Sequence, residues 1–266
     1  MKASDTGFGG SIPTLYHDHL GPLLFEPYAE DLAERAARLA PGRILETAGG
    51  TGIVTEALVE ALPDTELVAT DLNQAMLDVA AARIRSPTVT FRQADAQVLP
   101  FPDAEFDLVV CQFGAMFFPD RVGAYREARR VLRPGGTFLF NVWDRLDANP
   151  ASQAVAEAVA ALFPEDPPSF LARVPFGYHD KGRVEADLRS AGFADIDAET
   201  VAKRSCGAAA DVAPGLCQGS PLRAEIEARA AGRLDEATHA AAAALVPHCG
   251  DPVDAAMSAH VFEVRR

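Results

Sequence analysis

The chain has 266 residues, 48% of them hydrophobic and 23% charged, which is enough for one globular domain with a sizeable core. Its formal net charge is -14 at pH 7, and such a surface repels the phosphate backbone, so we expect no nucleic-acid partner. The absence of a basic amphipathic stretch and of a long apolar run predicts no stable membrane association. Four cysteines without a CxxC pair, and no secretory signal, predict a reduced, cytoplasmic protein without a metal site.

Short apolar strands alternate with helices through the first 143 residues. Strands are predicted at 43–47, 66–70, 88–92, 106–111 and 137–142, and helices at 27–39, 53–62, 73–83 and 121–132. This alternation predicts an α/β fold with a doubly wound, mostly parallel sheet. The strand at 106–111 is apolar on both faces, which is typical of a central parallel strand.

After residue 143 the pattern is less regular. Helices are predicted at 150–163, 183–191 and 222–245, and strands near 195–203 and at 257–264. Residues 164–178 are rich in proline and aromatic side chains, which predicts a lid loop. No linker separates two independent domains.

A glycine-rich loop, Glu-Thr-Ala-Gly-Gly-Thr-Gly, follows the first predicted strand at residues 46–52. Glycines let the backbone turn sharply and approach a ligand closely, and the next helix presents free N–H groups to an anion. The dinucleotide fingerprint G-x-G-x-x-G is not met, because Thr55 stands where its third glycine belongs. The loop predicts a small-molecule site, although a glycine-rich loop alone is weak evidence.

Carboxylates follow the next two predicted strands. Asp71 can accept hydrogen bonds from both ribose hydroxyls of a nucleoside, or can cap the helix that follows, a role that Asn73 can take instead. Asp95, followed by Ala96 and Gln97, can accept from the amine of adenine, although taken alone a turn residue is the better interpretation. Ligands of open α/β sheets bind beyond the carboxyl ends of strands, so these elements together predict one nucleoside site.

Residues 44–143 resemble the class I S-adenosylmethionine (SAM)-dependent methyltransferases, in the group similar to the ubiquinone and menaquinone biosynthesis methyltransferases. The loop at 46–52 resembles the E-x-G-x-G-x-G motif of that family, with Ala48 in place of its first glycine. Residues 71–77, Asp-Leu-Asn-Gln-Ala-Met-Leu, resemble its acidic motif, and residues 130–136 match its R-V-L-[KR]-P-G-G signature. The resemblance implies a Rossmann-like methyltransferase fold with seven strands, one of them antiparallel, and a small helical cap.

The resemblance implies SAM as the cofactor. Gly50 and its neighbours would contact the methionine end, Asp71 the ribose and Asp95 the adenine amine. Leu72 and Met76 would pack on adenine, and Cys111 would offer its backbone carbonyl to the ammonium group of SAM. The residues implied in cofactor binding are Glu46, Ala48, Gly49, Gly50, Gly52, Asp71, Leu72, Met76, Asp95, Ala96, Gln97 and Cys111.

The whole chain is expected to be a single SAM-dependent methyltransferase domain. Its expected parts are an N-terminal cap segment at 1–26, a SAM-binding core at 27–146, a cap or lid insertion at 147–182, and C-terminal strands and helices at 183–266.

The implied reaction is methyl transfer to a small, apolar or aromatic acceptor by in-line displacement. Aromatic side chains near strand ends and in the cap predict the acceptor pocket: Tyr16, Phe113, Phe117, Trp143 and Phe170. If a general base takes part, the candidate is His179, which follows the lid. The alternatives are a non-catalytic SAM-binding protein and an NAD-dependent oxidoreductase, which the missing third glycine disfavours.

Overall fold

Seven β-strands form one mixed sheet in the computed structural model of the chain, which describes Asp5 and residues 7–266. The strands are β1 (Arg43–Glu46), β2 (Glu66–Asp71), β3 (Val89–Gln93), β4 (Phe106–Gln112), β5 (Leu132–Trp143), β6 (Asp195–Gly207) and β7 (Val253–Arg265). Their order is β3-β2-β1-β4-β5-β7-β6, with β1 to β5 parallel and β7 antiparallel to both β5 and β6. The predicted doubly wound, mostly parallel seven-stranded sheet is confirmed.

Helices precede, connect and follow the strands. The α-helices in the described part of the chain are α1 (Ile12–Leu15), α2 (Glu26–Leu39), α3 (Ile53–Ala61), α4 (Gln74–Arg83), α5 (Arg121–Val131), α6 (Pro150–Ala161), α7 (Phe170–Arg173), α8 (Lys181–Ser190), α9 (Ala209–Gln218), α10 (Leu222–Arg229) and α11 (Leu234–Cys249), and two short 3-10 helices span Ala115–Phe117 and Leu146–Ala148. A π-helical segment, Tyr16–Phe25, joins α1 directly to α2. Among the described residues, no helix has both the length and the apolar composition needed to cross a lipid bilayer.

The sheet grows in one direction from β1 to β3 and then in the other from β4. β1, β2 and β3 occupy successive positions toward one edge, and β4 returns to pair with the free side of β1. The carboxyl ends of β1 and β4 therefore border a topological switch point, where open α/β sheets bind ligands. β4 is buried as predicted, since Leu108, Val109 and Val110 have no exposed surface.

Several segments differ from the sequence predictions. The helix predicted across 222–245 is two helices, because Ala230 takes extended backbone after α10 and α11 begins only at Leu234. The alanine-rich composition favours helix throughout this region and conceals the break. Helix α9, which contains Pro214, was not predicted. Strand β5 begins at Leu132, five residues before its predicted start at residue 137.

The lid predicted at 164–178 is a packed segment rather than an open loop. Its short helix α7 carries Phe170, which is 1% exposed. Arg173, at the end of α7, lies 2.7 Å from Oδ2 of Asp5 and 2.9 Å from Oε1 of Glu225. The other oxygen of Glu225 accepts from two backbone N–H groups at the start of α7, at 2.8 and 3.0 Å. Two buried carboxylates therefore join the lid to the N-terminal segment and to α10.

Gly52 and Gly135 provide a matched test of packing beside the glycine-rich loop, because their φ angles are +85° and +82°. A Cβ at Gly52 would lie 2.7 Å from Cδ1 of Ile84 and 2.9 Å from Cβ of Ala80, whereas Gly135 has no such neighbour within 4 Å. We expect Gly135→Ala to cost about 1–2 kcal/mol of unfolding free energy from the left-handed backbone alone. Gly52→Ala should cost about 1–3 kcal/mol more, because the added methyl overpacks the contact with α4.

Urea unfolding of the two variants beside the wild type measures both losses. Equal destabilisation by the two substitutions would contradict the close packing of the loop against α4.

Candidate functional site

A cavity of about 570 Å³ lies at the carboxyl ends of the strands around the switch point, within the size range of small-molecule sites. We refer to it as the large cavity. Eight of the predicted cofactor residues line it: Ala48, Gly50, Asp71, Leu72, Met76, Asp95, Ala96 and Gln97. The carboxyl ends of parallel strands thus bring together residues that are far apart in the sequence.

The glycine-rich loop leaves β1 and reaches the cavity through its backbone. It is held from both sides of β1, because the N–H of Thr47 donates to the carbonyl of Val110 in β4 and the N–H of Gly49 donates to the carbonyl of Thr70 in β2. Gly50 has a φ of +57°, and a Cβ there would meet only Cε of Met76, at 3.5 Å. The loop is therefore fixed at its base and open toward the cavity at Gly50.

Ala48, which replaces the first glycine of the family motif, also has left-handed backbone, with a φ of +53°. Its methyl group occupies space beside Gly114, where an added Cβ would lie only 2.5 Å from Cβ of Ala48. Sγ of Cys111 would lie 2.7 Å from the same Cβ, so Ala48 and Cys111 together require glycine at position 114.

Asp71 joins the glycine-rich loop to the start of α4. Its Oδ2 accepts from the N–H of Gly50 at 2.9 Å, and its Oδ1 accepts from the N–H of Asn73 at 2.7 Å. Burial raises the pKa of Asp71, and the backbone hydrogen bonds from Asn73 and Gly50 oppose that shift. Oδ1 also accepts from the side-chain amide of Asn73, at the longer distance of 3.5 Å. Each carboxylate oxygen can accept two hydrogen bonds, so a ligand could use the free position on Oδ2 and replace this long contact on Oδ1. The predicted capping role of Asn73 is wrong, because its side chain makes no cap hydrogen bond to α4.

Glu46 supports the loop from below. The residue is 1% exposed, and its Oε2 accepts from Oγ1 of Thr55 at 2.6 Å. Burial raises the pKa of Glu46 to about 8, and the nearby charge of Asp71 adds to the shift. Glu46 lines a recess of about 30 Å³ between the loop and the π-helical segment, together with Gly49, but it does not line the large cavity.

The segment after β3 forms a hydrogen-bonded turn at the opposite side of the cavity. Oδ1 of Asp95 accepts from the N–H of Gln97 at 2.9 Å and from its side-chain amide at 3.1 Å. Oε1 of Gln97 accepts in turn from the N–H of Asp120, the N-cap of α5. The turn interpretation therefore holds for Asp95, and its carboxylate still lines the cavity.

Two predicted cofactor residues, Cys111 and Gly52, line neither the large cavity nor the recess. The contact expected of Cys111 is through its backbone carbonyl and stays a prediction. Cys111 has no exposed surface, and burial raises the pKa of its thiol to about 11. Gln112, which sequence analysis missed, lines the large cavity instead, with its amide group donating to the carbonyl of Phe25 at 3.1 Å. Side chains alternate along a strand, and this alternation was the signal that could have identified Gln112. Gly52 packs against α4, donates its N–H to the carbonyl of Gly49 and accepts from the N–H of Glu56 in α3.

A second, smaller pocket of about 70 Å³ adjoins the large cavity and shares Phe8, Tyr16, Phe113 and Phe117 with it. We refer to it as the apolar pocket. All five predicted acceptor residues line it: Tyr16, Phe113, Phe117, Trp143 and Phe170. The rings of Phe113 and Trp143 stack with centroids 3.9 Å apart, and those of Tyr16 and Phe25 with centroids 4.8 Å apart. The N-terminal segment, the strand ends and the lid thus form one aromatic enclosure.

The structure does not place His179 as a general base. Its side chain is exposed, and its Nδ1 lies 2.8 Å from the carbonyl oxygen of Phe176 in its own segment. Phe176 and Tyr178 are buried, whereas His179 follows them on the outside of the lid. Among the described residues, none that lines either the large cavity or the apolar pocket is a histidine.

The chain is similar in sequence to known methyltransferases. Residues 45–140 match a family model described as a methyltransferase domain. A demethylmenaquinone methyltransferase of Deinococcus radiodurans is 36% identical over 133 residues, which cover 49% of this chain and 53% of the relative. The ubiquinone/menaquinone biosynthesis C-methyltransferase of Escherichia coli is 31% identical over 168 residues, covering 58% and 67%. The chain thus spans from about half to two thirds of the length of these relatives.

The fold also matches solved structures. The YcgJ protein of Bacillus subtilis superposes with a TM-score of 0.59 and 22% identity, over 90% of this chain and 98% of that protein.

Glu46→Gln should change how stability depends on pH. Burial raises the pKa of Glu46 from 4.5 to about 8, so between these values the folded chain holds a proton that the unfolded chain has lost. The contribution of Glu46 to the unfolding free energy is therefore fully present below pH 4.5 and is lost as the pH rises toward 8. Relative to Glu46→Gln, the unfolding free energy of the wild type should fall by about 1.4 kcal/mol per pH unit within that window.

Urea unfolding of both proteins at several pH values between the two pKa values provides the measurement. If the unfolding free energies of the wild type and of Glu46→Gln change with pH in parallel, Glu46 is ionised in the folded chain.

Proposed function

Because the chain belongs to the class I SAM-dependent methyltransferases, we propose that it transfers the methyl group of SAM to a small apolar or aromatic acceptor by in-line displacement. The observation that carries the proposal is the meeting of two different cavities at Tyr16, Phe113 and Phe117. One cavity presents the glycine-rich loop and two carboxylates. The other, among its described lining residues, presents no charged side chain.

The residues of the large cavity fit SAM by their chemistry. Asp71 retains hydrogen-bonding capacity for ribose hydroxyls, and the open backbone at Gly50 suits the methionine end. Asp95 offers a carboxylate to the adenine amine, while Leu72 and Met76 provide apolar surface for the ring. When bound, SAM supplies a methyl group on a positively charged sulfur, which is already activated for displacement.

Tyr16 lies where the two reactants would meet. It is the one described residue that lines the large cavity, the apolar pocket and the recess beside the loop. Burial raises the pKa of Tyr16, and the charge of Asp71 raises it further, so the hydroxyl stays protonated near neutral pH. It can therefore orient a ligand as a hydrogen-bond donor, whereas general-base action by this group is disfavoured.

Positioning is then the main contribution of the chain to the rate. The aromatic enclosure excludes water from the acceptor and holds it against the boundary of the two cavities. Alignment of two bound reactants can contribute several orders of magnitude without covalent catalysis. The demethylmenaquinone and ubiquinone/menaquinone methyltransferase names of the relatives agree with a small acceptor of this kind.

Asp71→Ala should weaken SAM binding by about 10²- to 10⁴-fold, because two hydrogen bonds to a charged group are lost, each worth about 1.5–3 kcal/mol. Asp78→Ala is a matched control, since this exposed carboxylate lies on α4 outside the cavity. Calorimetric titration with SAM gives both affinities. The ribose assignment is wrong if the Asp71 variant, still folded, binds SAM like the control.

Methyl transfer itself is tested with SAM carrying a tritiated methyl group and a panel of phenols, quinols and aryl amines. We expect label in the organic extract with the wild type and with Ala48→Gly, which relieves left-handed backbone in the same loop. Gly50→Val should abolish transfer, because its φ of +57° disfavours a branched residue and the side chain enters the space for the methionine end. SAM binding without transfer to any acceptor would instead favour the non-catalytic alternative.

A further inference from the structure

We infer that the acceptor is an uncharged aromatic compound carrying a hydroxyl or carbonyl oxygen, and that the hydroxyl of Ser152 binds this oxygen. The inference rests on the proposed function, and it names a specificity-determining residue that sequence analysis did not identify. Its basis is a contrast between two serines that line the same pocket.

Ser152 lies on α6 and is 4% exposed, and it lines the apolar pocket. Its hydroxyl makes no hydrogen bond with any residue that the structure describes. Ser220 lines the same pocket and is 6% exposed, but its Oγ donates to the carbonyl of Leu216 at 2.6 Å and accepts from the N–H of Leu222 at 3.2 Å. Oγ of Ser152 is not among the fully buried side-chain atoms that lack a partner, so it is accessible from the pocket that the residue lines. Of the two hydroxyls, that of Ser152 is therefore the one with both of its hydrogen-bonding functions free for a ligand.

The position of Ser152 indicates which part of the acceptor it contacts. It lines the apolar pocket but not the large cavity, whereas Tyr16, Phe113 and Phe117 line both. The oxygen that it binds therefore lies on the side of the acceptor away from the methylated atom.

Size and charge restrict the acceptor further. The apolar pocket, at about 70 Å³, is smaller than the roughly 150 Å³ cavity known to hold benzene, so a ring must extend toward the large cavity. No charged residue is found among the described residues that line the apolar pocket, and a charged group on the acceptor would be desolvated there without a counter-ion. A neutral ring compound with one buried oxygen group fits these restrictions.

The test uses p-cresol and p-xylene, an isosteric pair in which a methyl group replaces a hydroxyl. Trp143 is the single tryptophan of the chain and lines the apolar pocket, so quenching of its fluorescence reports entry of either probe. We expect the wild type to bind p-cresol about five- to tenfold more tightly than p-xylene, which is the worth of one neutral hydrogen bond. Ser152→Ala should abolish this preference, because it removes only the hydroxyl.

Two further variants make the result specific. Ser220→Ala should keep the preference, since its hydroxyl is already bonded within the chain, and Ser152→Thr should keep it because the hydroxyl remains. The inference is overturned if the wild type shows no preference, if Ser152→Ala retains it, or if Ser220→Ala abolishes it equally.

The binding test needs neither SAM nor turnover, so its failure is distinct from failure of the proposed function. Labelled transfer without a role for Ser152 would overturn this inference alone. If the preference for p-cresol depends on Ser152 but no methyl transfer is detected, the proposed function is overturned. The inference that Ser152 binds an oxygen of the ligand would then still stand.

Discussion

The carboxylate of Asp71 is the interaction on which the site depends most. It ends β2 and accepts from the backbone of Gly50 on one side and of Asn73 on the other. A single buried group thereby sets the distance between the glycine-rich loop and the start of α4, and those two segments form one wall of the large cavity. Burial raises the pKa of this carboxyl group, and the backbone donors at Gly50 and Asn73 oppose that rise.

A second carboxylate lies beneath the first. Glu46 is buried within the base of the loop, and its raised pKa leaves it largely protonated near neutral pH. Two full negative charges so close together would oppose folding, so the protonation of one permits the other to remain available to a ligand. The loop therefore combines a neutral structural acid with a hydrogen-bonding carboxylate, each in a different environment on neighbouring strands.

The sequence predicted the family, the sheet and most of the residues around the large cavity, because alternating strands and helices and the strand-end motifs are local signals. It failed where tertiary packing decides. Gln112 was missed, because only the direction of side chains at the end of β4 brings it rather than its neighbour Cys111 to the cavity. The contact expected of Cys111 runs through its backbone carbonyl and stays a prediction. His179 follows an aromatic lid segment, yet its ring lies on the outside. Ser152 carries no local signal, since the role proposed for it rests on the hydrogen bond that its hydroxyl does not make within the described chain.

The methyl group of Ala48 occupies the space that a side chain at Gly114 would need. An added Cβ at Gly114 would lie 2.5 Å from that of Ala48, so the two positions cannot both carry a side chain without a shift of the backbone. A Cβ at Gly114 would also lie 2.7 Å from Sγ of Cys111, so glycine at position 48 alone does not make room for a side chain at position 114. During evolution positions 48, 111 and 114 should therefore vary together. A departure from the family motif that looks like an isolated change in one loop is, in spatial terms, part of a three-residue contact between two strand ends.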